Sequence, residues 1–156
     1  MLEYWLPNRG SAESFWMHEW NKHGTCINTL SPRCYSDVSD DDEGAEDYKT
    51  GQEVVDYFTR AVRLFTQLDT FKALADADIH PSTTRRYTKR EISDALIGVT
   101  GAPVVLGCRR GVLNQAWYTF NVRGNLQSGA FVASEPAGSG KGTCPERGIR
   151  WFPKDN

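Results

Sequence analysis

Near residue 101 the hydrophobic pattern of this 156-residue chain changes period. Upstream of that point, apolar side chains return every three or four positions, as along one face of a helix. In GQEVVDYFTRAVRLFTQLDT they are Val54, Val55, Phe58, Val62, Leu64, Phe65 and Leu68, with Glu53, Arg60 and Gln67 left outside. FKALADADI reads as a short helix that must stop before Pro81, because the residue preceding a proline disfavours helical angles. TKREISDALIGVTG reads as another, capped by Thr88 and closed by Gly98 or Gly101. Residues 11–23 also look helical, with Ser11 or Ser14 as the cap, and Cys26 to Cys34 reads as a loop containing a proline. Downstream, APVVLGC, LNQAWYTFNVRG and GAFVASEP are rich in Val, Tyr, Phe and Trp and are separated by glycines, as strands of an antiparallel sheet would be. The closing GSGKGTCPERGIRWFPKDN is rich in glycine and proline and reads as irregular. Helices first and strands afterward predict an α+β architecture, in one domain covering residues 1–156.

Such a length buries one core without help from a metal or a dense disulfide lattice. The net charge of −2 advertises no global basic field for nucleic acid. That average hides an asymmetry. The run SDVSDDDEGAED, Ser36 to Asp47, holds seven acidic residues, leaving 18 Lys and Arg against 13 Asp and Glu elsewhere. Like charges at that density repel and predict a solvated loop, on a body that is mildly basic. No apolar run reaches the roughly 18 residues a membrane helix needs. MLEYWLPNRG lacks the charged start and apolar core of a secretory signal. Four cysteines, Cys26, Cys34, Cys108 and Cys144, allow two disulfides in three connectivities, or reduced thiols, and match no CxxC zinc spacing.

The densest chemistry lies in SFWMHEWNKHGTC, Ser14 to Cys26. On a helix turning about 100° per residue, with His18 at zero, Lys22 falls near 40°, Glu19 near 100° and His23 near 140°. Trp16, Trp20 and Met17 fill the adjoining arc. One face is apolar and one carries four ionisable groups. Three readings compete for it. A zinc helix spaces its histidines four apart, as in H-E-x-x-H; here the spacing is five, which swings the rings apart, and Lys22 adds a positive charge, so no metal is expected. A solvated polar face would look similar and do nothing. The third reading is acid-base chemistry on a phosphodiester. Histidine gains and loses protons near neutral pH, a carboxylate can hold its ring, and ammonium or imidazolium charge suits a phosphorane. RNA brings its own nucleophile, the 2′-hydroxyl, so neither a metal nor a protein nucleophile is required. In-line attack also needs a second acid-base group at the far side of the phosphate.

FWMHEWNKHGTC, Phe15 to Cys26, resembles the second catalytic motif of the ribonuclease T2 family, FWxHEWxKHGTC, at every fixed position. Similarity to fungal members continues through CINTLSPRCY, the long helix, ISDAL, QAWYTFNV and FVASE, with the acidic run as an insertion. The resemblance implies an α+β fold with helices packed on a central antiparallel sheet. It also implies an endoribonuclease that cleaves single-stranded RNA without metal or cofactor, through 2′,3′-cyclic phosphates. His23 would be the general base taking the 2′-hydroxyl proton. Glu19 would assist it and, with Lys22, stabilise the pentacoordinate phosphate, while His18 would help bind phosphate. Tyr4, Trp5, Pro7 and Asn8 resemble a segment that contributes to a base-binding subsite, although Leu6 separates the usually adjacent Trp and Pro.

Family members are mostly secreted or vacuolar, and a monomer with RNA as its partner and no membrane association is expected. The family's first catalytic motif, HGLWP, is not found in the 14 residues before Phe15, and the remaining histidine, His80, sits in DIHPST. The resemblance therefore implies a chain shortened at its N-terminus and weak or inactive alone; the alternative is an inactive RNA- or nucleotide-binding module of the same fold. It further implies that Cys108 pairs with Cys144. Cys26 and Cys34, whose usual partners lie in the N-terminal part, would pair with each other or stay free.

Overall fold

The computed structural model describes residues 5–7, 9–36, 48–136 and 142–153. Within them five helices precede four strands: α1 (Ala12–Lys22), α2 (Arg33–Ser36), α3 (Gln52–Leu68), α4 (Thr70–Asp76), α5 (Lys89–Thr100), β1 (Val105–Arg109), β2 (Val112–Trp117), β3 (Phe120–Arg123) and β4 (Ala130–Ala133). The α+β expectation holds. The chain forms two compact units, one of residues 1–67 and 122–130, the other of residues 68–121 and 131–156.

Most of the buried apolar side chains belong to the second unit. Leu74, Ile79, Tyr87, Ile92, Leu96, Val104, Leu106, Cys144 and Ile149 form one cluster, in which Ile92, Leu96, Leu106 and Ile149 are fully enclosed. Helix α5 presents Ile92 and Leu96, four residues apart, to that cluster. Its start is fixed by a capping box. The Thr88 hydroxyl accepts from the Glu91 amide, and the Glu91 carboxylate accepts from the Thr88 amide at 2.6 Å. Its end is Gly101, whose φ of 77° is left-handed, so of the two candidate glycines it is Gly101 that stops the helix.

β1 and β2 form an antiparallel ladder with a bulge between Gly107 and Cys108. Cys108 and Cys144 form a disulfide, as the resemblance implied. The Thr143 hydroxyl accepts from the Cys108 amide and donates to its carbonyl, both at 2.8 Å, which holds the closing segment beside β1. That segment is irregular apart from single bridges from Ile149 to Tyr87 and from Arg150 to Val112.

Two strand expectations change. LNQAWYTFNVRG is two strands, interrupted at Tyr118 and Thr119; the Tyr118 hydroxyl meets that of Thr70 at 2.9 Å. Among the described residues the strands form two separate two-stranded pairs, β1–β2 and β3–β4, rather than one central sheet.

The first unit has a lighter core of Leu30, Phe58 and Leu126. The Thr29 hydroxyl accepts from the Leu126 amide at 3.1 Å, and Gln127 Nε2 donates to the Thr29 carbonyl at 2.7 Å. Arg60 donates to the Gly129 carbonyl, so an expected outward-facing residue of α3 is turned inward. Conversely, Val55 and Phe65, counted on the apolar face, are each 57% exposed. The Asp56 carboxylate accepts from the Tyr35 hydroxyl at 2.8 Å and from Gln52 at 3.0 Å, which ties the start of α3 to α2. Burial and that carboxylate together push the Tyr35 hydroxyl well above its ordinary pKa. Cys26 to Cys34 is more regular than a loop. It follows one 3-10 turn, Gly24–Cys26, and contains a second, Asn28–Leu30, and α2 begins directly after Pro32, where a missing amide proton costs nothing. Apart from Ser36, the acidic run lies outside the described residues.

Candidate active site

Helix α1 begins where its sequence says it should. Ser11 is the cap, its hydroxyl accepting from the Ser14 amide at 3.2 Å, and Glu13 complements the positive end of the helix. The helix ends at Lys22. His23 is its C-cap, with φ of −121°, and its amide donates to the Glu19 carbonyl at 3.0 Å. His23 therefore stands at a junction between α1 and the 3-10 turn Gly24–Cys26, one residue short of the expected helix end.

Two tryptophans hold α1 down. Trp16 Nε1 donates to the Trp5 carbonyl at 2.9 Å, and the Trp5 ring lies edge-on to Phe58 at 5.3 Å. Trp20 meets Tyr57 edge-on at 5.7 Å. The Trp20 ring also covers Gly24, which is buried; a Cβ there would lie 2.1 Å from Trp20 Cε3. Only glycine fits beneath that ring. Met17 departs from expectation: it is 61% exposed, so the apolar face is narrower than the wheel implied.

The polar arc faces outward. His23 Nε2 lies 4.0 Å from Glu19 Oε2, with the histidine side chain 53% and the carboxylate side chain 20% exposed. His18 and Lys22 are exposed. Four-residue spacing thus brings His23 and Glu19 together, and neither is walled into the interior. Behind this arc is a cavity of about 480 Å³ lined in part by Trp20, Gly24, Asn28, Leu30 and Glu53. Its wall includes none of the four ionisable residues of the motif.

Tyr57 was not singled out from the sequence. Burial chiefly, and the Glu19 negative charge in addition, raise its hydroxyl pKa above 10. The signal for it was the pair Trp16 and Trp20, four apart on one face and needing an aromatic floor.

The remaining candidates are more dispersed. The Trp5 ring is engaged with Tyr57 and Phe58, and Trp5 also borders a small cavity with Ala61, Val62 and Phe65. Pro7 is half-buried, while Tyr4 and Asn8 lie outside the described residues. His80 belongs to the second unit, where its Nε2 is 3.5 Å from Asp78. Cys26 and Cys34 are free and exposed, their thiols directed at the carbonyls of Lys22 and Asn28. Among the described residues, no three His, Cys, Asp or Glu side chains converge as a metal site would require. No helix among them is long and apolar enough to cross a membrane.

Known proteins are similar to this chain in sequence and in fold. The chain is 48% identical over 154 residues to a ribonuclease T2-like protein of Aspergillus fumigatus, covering 99% of the chain and 35% of that relative. It is 47% identical over 146 residues to ribonuclease Trv of Hypocrea rufa, covering 94% of the chain and 58% of that relative. The chain thus spans between about a third and three fifths of these relatives' lengths. Its fold superposes on the crystal structure of Actibind, a T2 ribonuclease, with a TM-score of 0.81 and 44% identity, over 92% of this chain and 56% of that one. The sequence profile of the Ribonuclease T2 family matches residues 1–129, a span that contains the whole His18–His23 arc. By motif, by sequence and by backbone, the chain belongs to the ribonuclease T2 family.

Proposed function

We propose that α1 supplies the base-side half of a ribonuclease site that cleaves single-stranded RNA by transphosphorylation. The observation that carries this reading is the pairing of His23 Nε2 with Glu19 Oε2 at 4.0 Å on a solvent-facing helix end. His23 takes the proton from the ribose 2′-hydroxyl, and the oxygen so activated attacks the adjacent phosphorus. Glu19 holds the imidazole and balances the charge it acquires. Lys22 and His18, exposed on the same arc, offset negative charge on the phosphorane oxygens. The 5′-oxygen departs, leaving a 2′,3′-cyclic phosphate. The base-binding role of Trp5, Pro7 and Asn8 belongs to the same proposal. The Cys108–Cys144 disulfide supports a secreted or vacuolar setting, since such bonds persist in oxidising compartments.

The leaving 5′-oxygen needs a proton, and with no described residue assigned to deliver it, solvent water supplies it. A missing acid-base group costs about 10²–10⁴ in rate, so the chain alone turns RNA over slowly. Incubating the purified chain with RNA and analysing the 3′ ends tests this. Slow release of 2′,3′-cyclic phosphate, much slower still in His23→Ala and absent from 2′-O-methyl RNA, is the expected result. Vigorous cleavage refutes the slowness, and products with no cyclic phosphate refute the mechanism. Weak mononucleotide binding without any turnover favours instead an inactive binding module of the same fold.

A further inference from the structure

A second feature of the molecule is unexplained by α1. The hairpin between β1 and β2 turns on Arg110 and Gly111, both left-handed, with φ of 51° and 74°. Consecutive left-handed residues make the tight turn that suits a two-residue hairpin, but its first position favours Asn, Asp or Gly. An arginine there is out of character, and Arg109 precedes it. Both are exposed.

The turn is clamped by a third arginine. The Arg150 amide donates to the Gly111 carbonyl at 2.9 Å, and its Nη2 donates to the Arg110 carbonyl at 2.8 Å. The Arg150 carbonyl accepts from the Leu113 amide at 2.8 Å. Beyond these bonds, the Arg150 guanidinium lies 5.5 Å from the centre of the Phe152 ring, which is 38% exposed. Among the described residues, no carboxylate lies within ion-pair distance of Arg109, Arg110 or Arg150. Two exposed arginines, Arg109 and Arg110, thus stand at a turn clamped by a third, Arg150, whose guanidinium lies against an accessible aromatic ring.

We infer that this turn is a second contact surface for single-stranded RNA, with Arg109 and Arg110 taking backbone phosphates and Phe152 stacking a base. Guanidinium groups match phosphate oxygens in forked geometry, and their unpaired charge is the part a polyanion neutralises. An exposed ring backed by an arginine accepts any base on its free face. The choice of RNA over an acidic protein surface rests on the ribonuclease reading above; the patch itself lies in the second unit and shares no residue with α1.

The test uses the full chain and a fluorescent 2′-O-methyl oligouridine, which has no free 2′-hydroxyl to attack. Anisotropy gives its Kd across a salt series. The double variant Arg109→Gln, Arg110→Gly keeps the turn, since glycine accepts left-handed angles freely. It weakens binding and lowers the slope of log Kd against log salt by about 1.4, at roughly 0.7 per lost phosphate contact. Phe152→Ala weakens binding about 5- to 160-fold, as expected for one stacked base, with an unchanged melting temperature. Wild-type affinity and salt slope in both variants overturn the inference. So does a Phe152→Ala protein that binds the oligouridine and heparin as the parent does, because that describes a bare polyanion surface. Unmodified RNA that is bound but never cut contradicts the proposed activity and leaves this surface standing. RNA that is cut while the variants bind normally does the reverse.

Discussion

Replacing Gly24 with alanine perturbs the joint on which the candidate site turns. The added methyl would sit 2.1 Å from Trp20 Cε3 and 2.5 Å from Cζ3, far inside contact distance. Two responses are open to the chain. The indole can swing away and lose its edge-on contact with Tyr57, an arrangement worth about 0.5–1.5 kcal/mol. Alternatively the backbone at the His23–Gly24 junction can move, at the cost of about 1–3 kcal/mol typical of overpacking. Whichever response the chain takes, the predicted destabilisation is about 0.5–3 kcal/mol, or a urea midpoint lowered by about 0.3–1.5 M for a slope near 2 kcal/mol/M. Urea melts followed by tryptophan fluorescence measure it. Gly98→Ala is the matched control: nothing lies within 4 Å of its added Cβ, and it sits at an exposed position inside α5. It should stabilise by about 0.5–1 kcal/mol. A Gly24→Ala protein as stable as the parent would refute the packing argument for the joint.

Further outcomes follow from the same contacts. Cys108→Ser with Cys144→Ser opens a loop of 36 residues and should cost about 4 kcal/mol on the loop-closure account, read from the same melts. The Thr88 amide and hydroxyl hold the Glu91 carboxyl below its ordinary 4.5. A lowered folded-state value adds stability above 4.5 that is lost as pH falls through the folded value, so Glu91→Gln should flatten that acid limb of the stability profile. Burial and the Glu19 charge raise Tyr57 above 10, so its contribution is complete below 10 and is lost as pH rises through the folded value. Ultraviolet titration should find the Tyr57 phenolate forming late in the parent and earlier, though still above 10, in Glu19→Gln. An unchanged titration would mean that the carboxylate does not face the ring.

Local signals in the sequence were strong where a single backbone feature decided the outcome. Thr88 capped its helix as its chemistry dictates, and Ser11 and Gly101 were each one of two residues offered for a helix end, because a cap needs only its neighbours. The proximity of His23 to Glu19 was legible from their four-residue spacing, although His23 caps the helix and does not continue it. Tertiary choices were not legible. Arg60 looked like an outward residue until the Gly129 carbonyl, from a segment far away in sequence, claimed it. Val55 and Phe65 matched the apolar period yet stay exposed, because periodicity says which residues share a face, not what covers it. Tyr118 and Thr119 carry strand-like side chains, and only the contact with Thr70 reveals a break between β2 and β3. Gly24 was read as part of a motif; that it is the one residue able to lie under Trp20 needed coordinates.

A double-mutant cycle on His23 and Glu19, read as single-turnover cleavage of RNA, probes the paired imidazole and carboxylate most directly. Groups that act as a unit are not additive. Glu19→Gln should slow the parent measurably and do nothing further in a His23→Ala background. Equal losses from Glu19→Gln in both backgrounds, or undiminished cleavage by His23→Ala, would contradict the account.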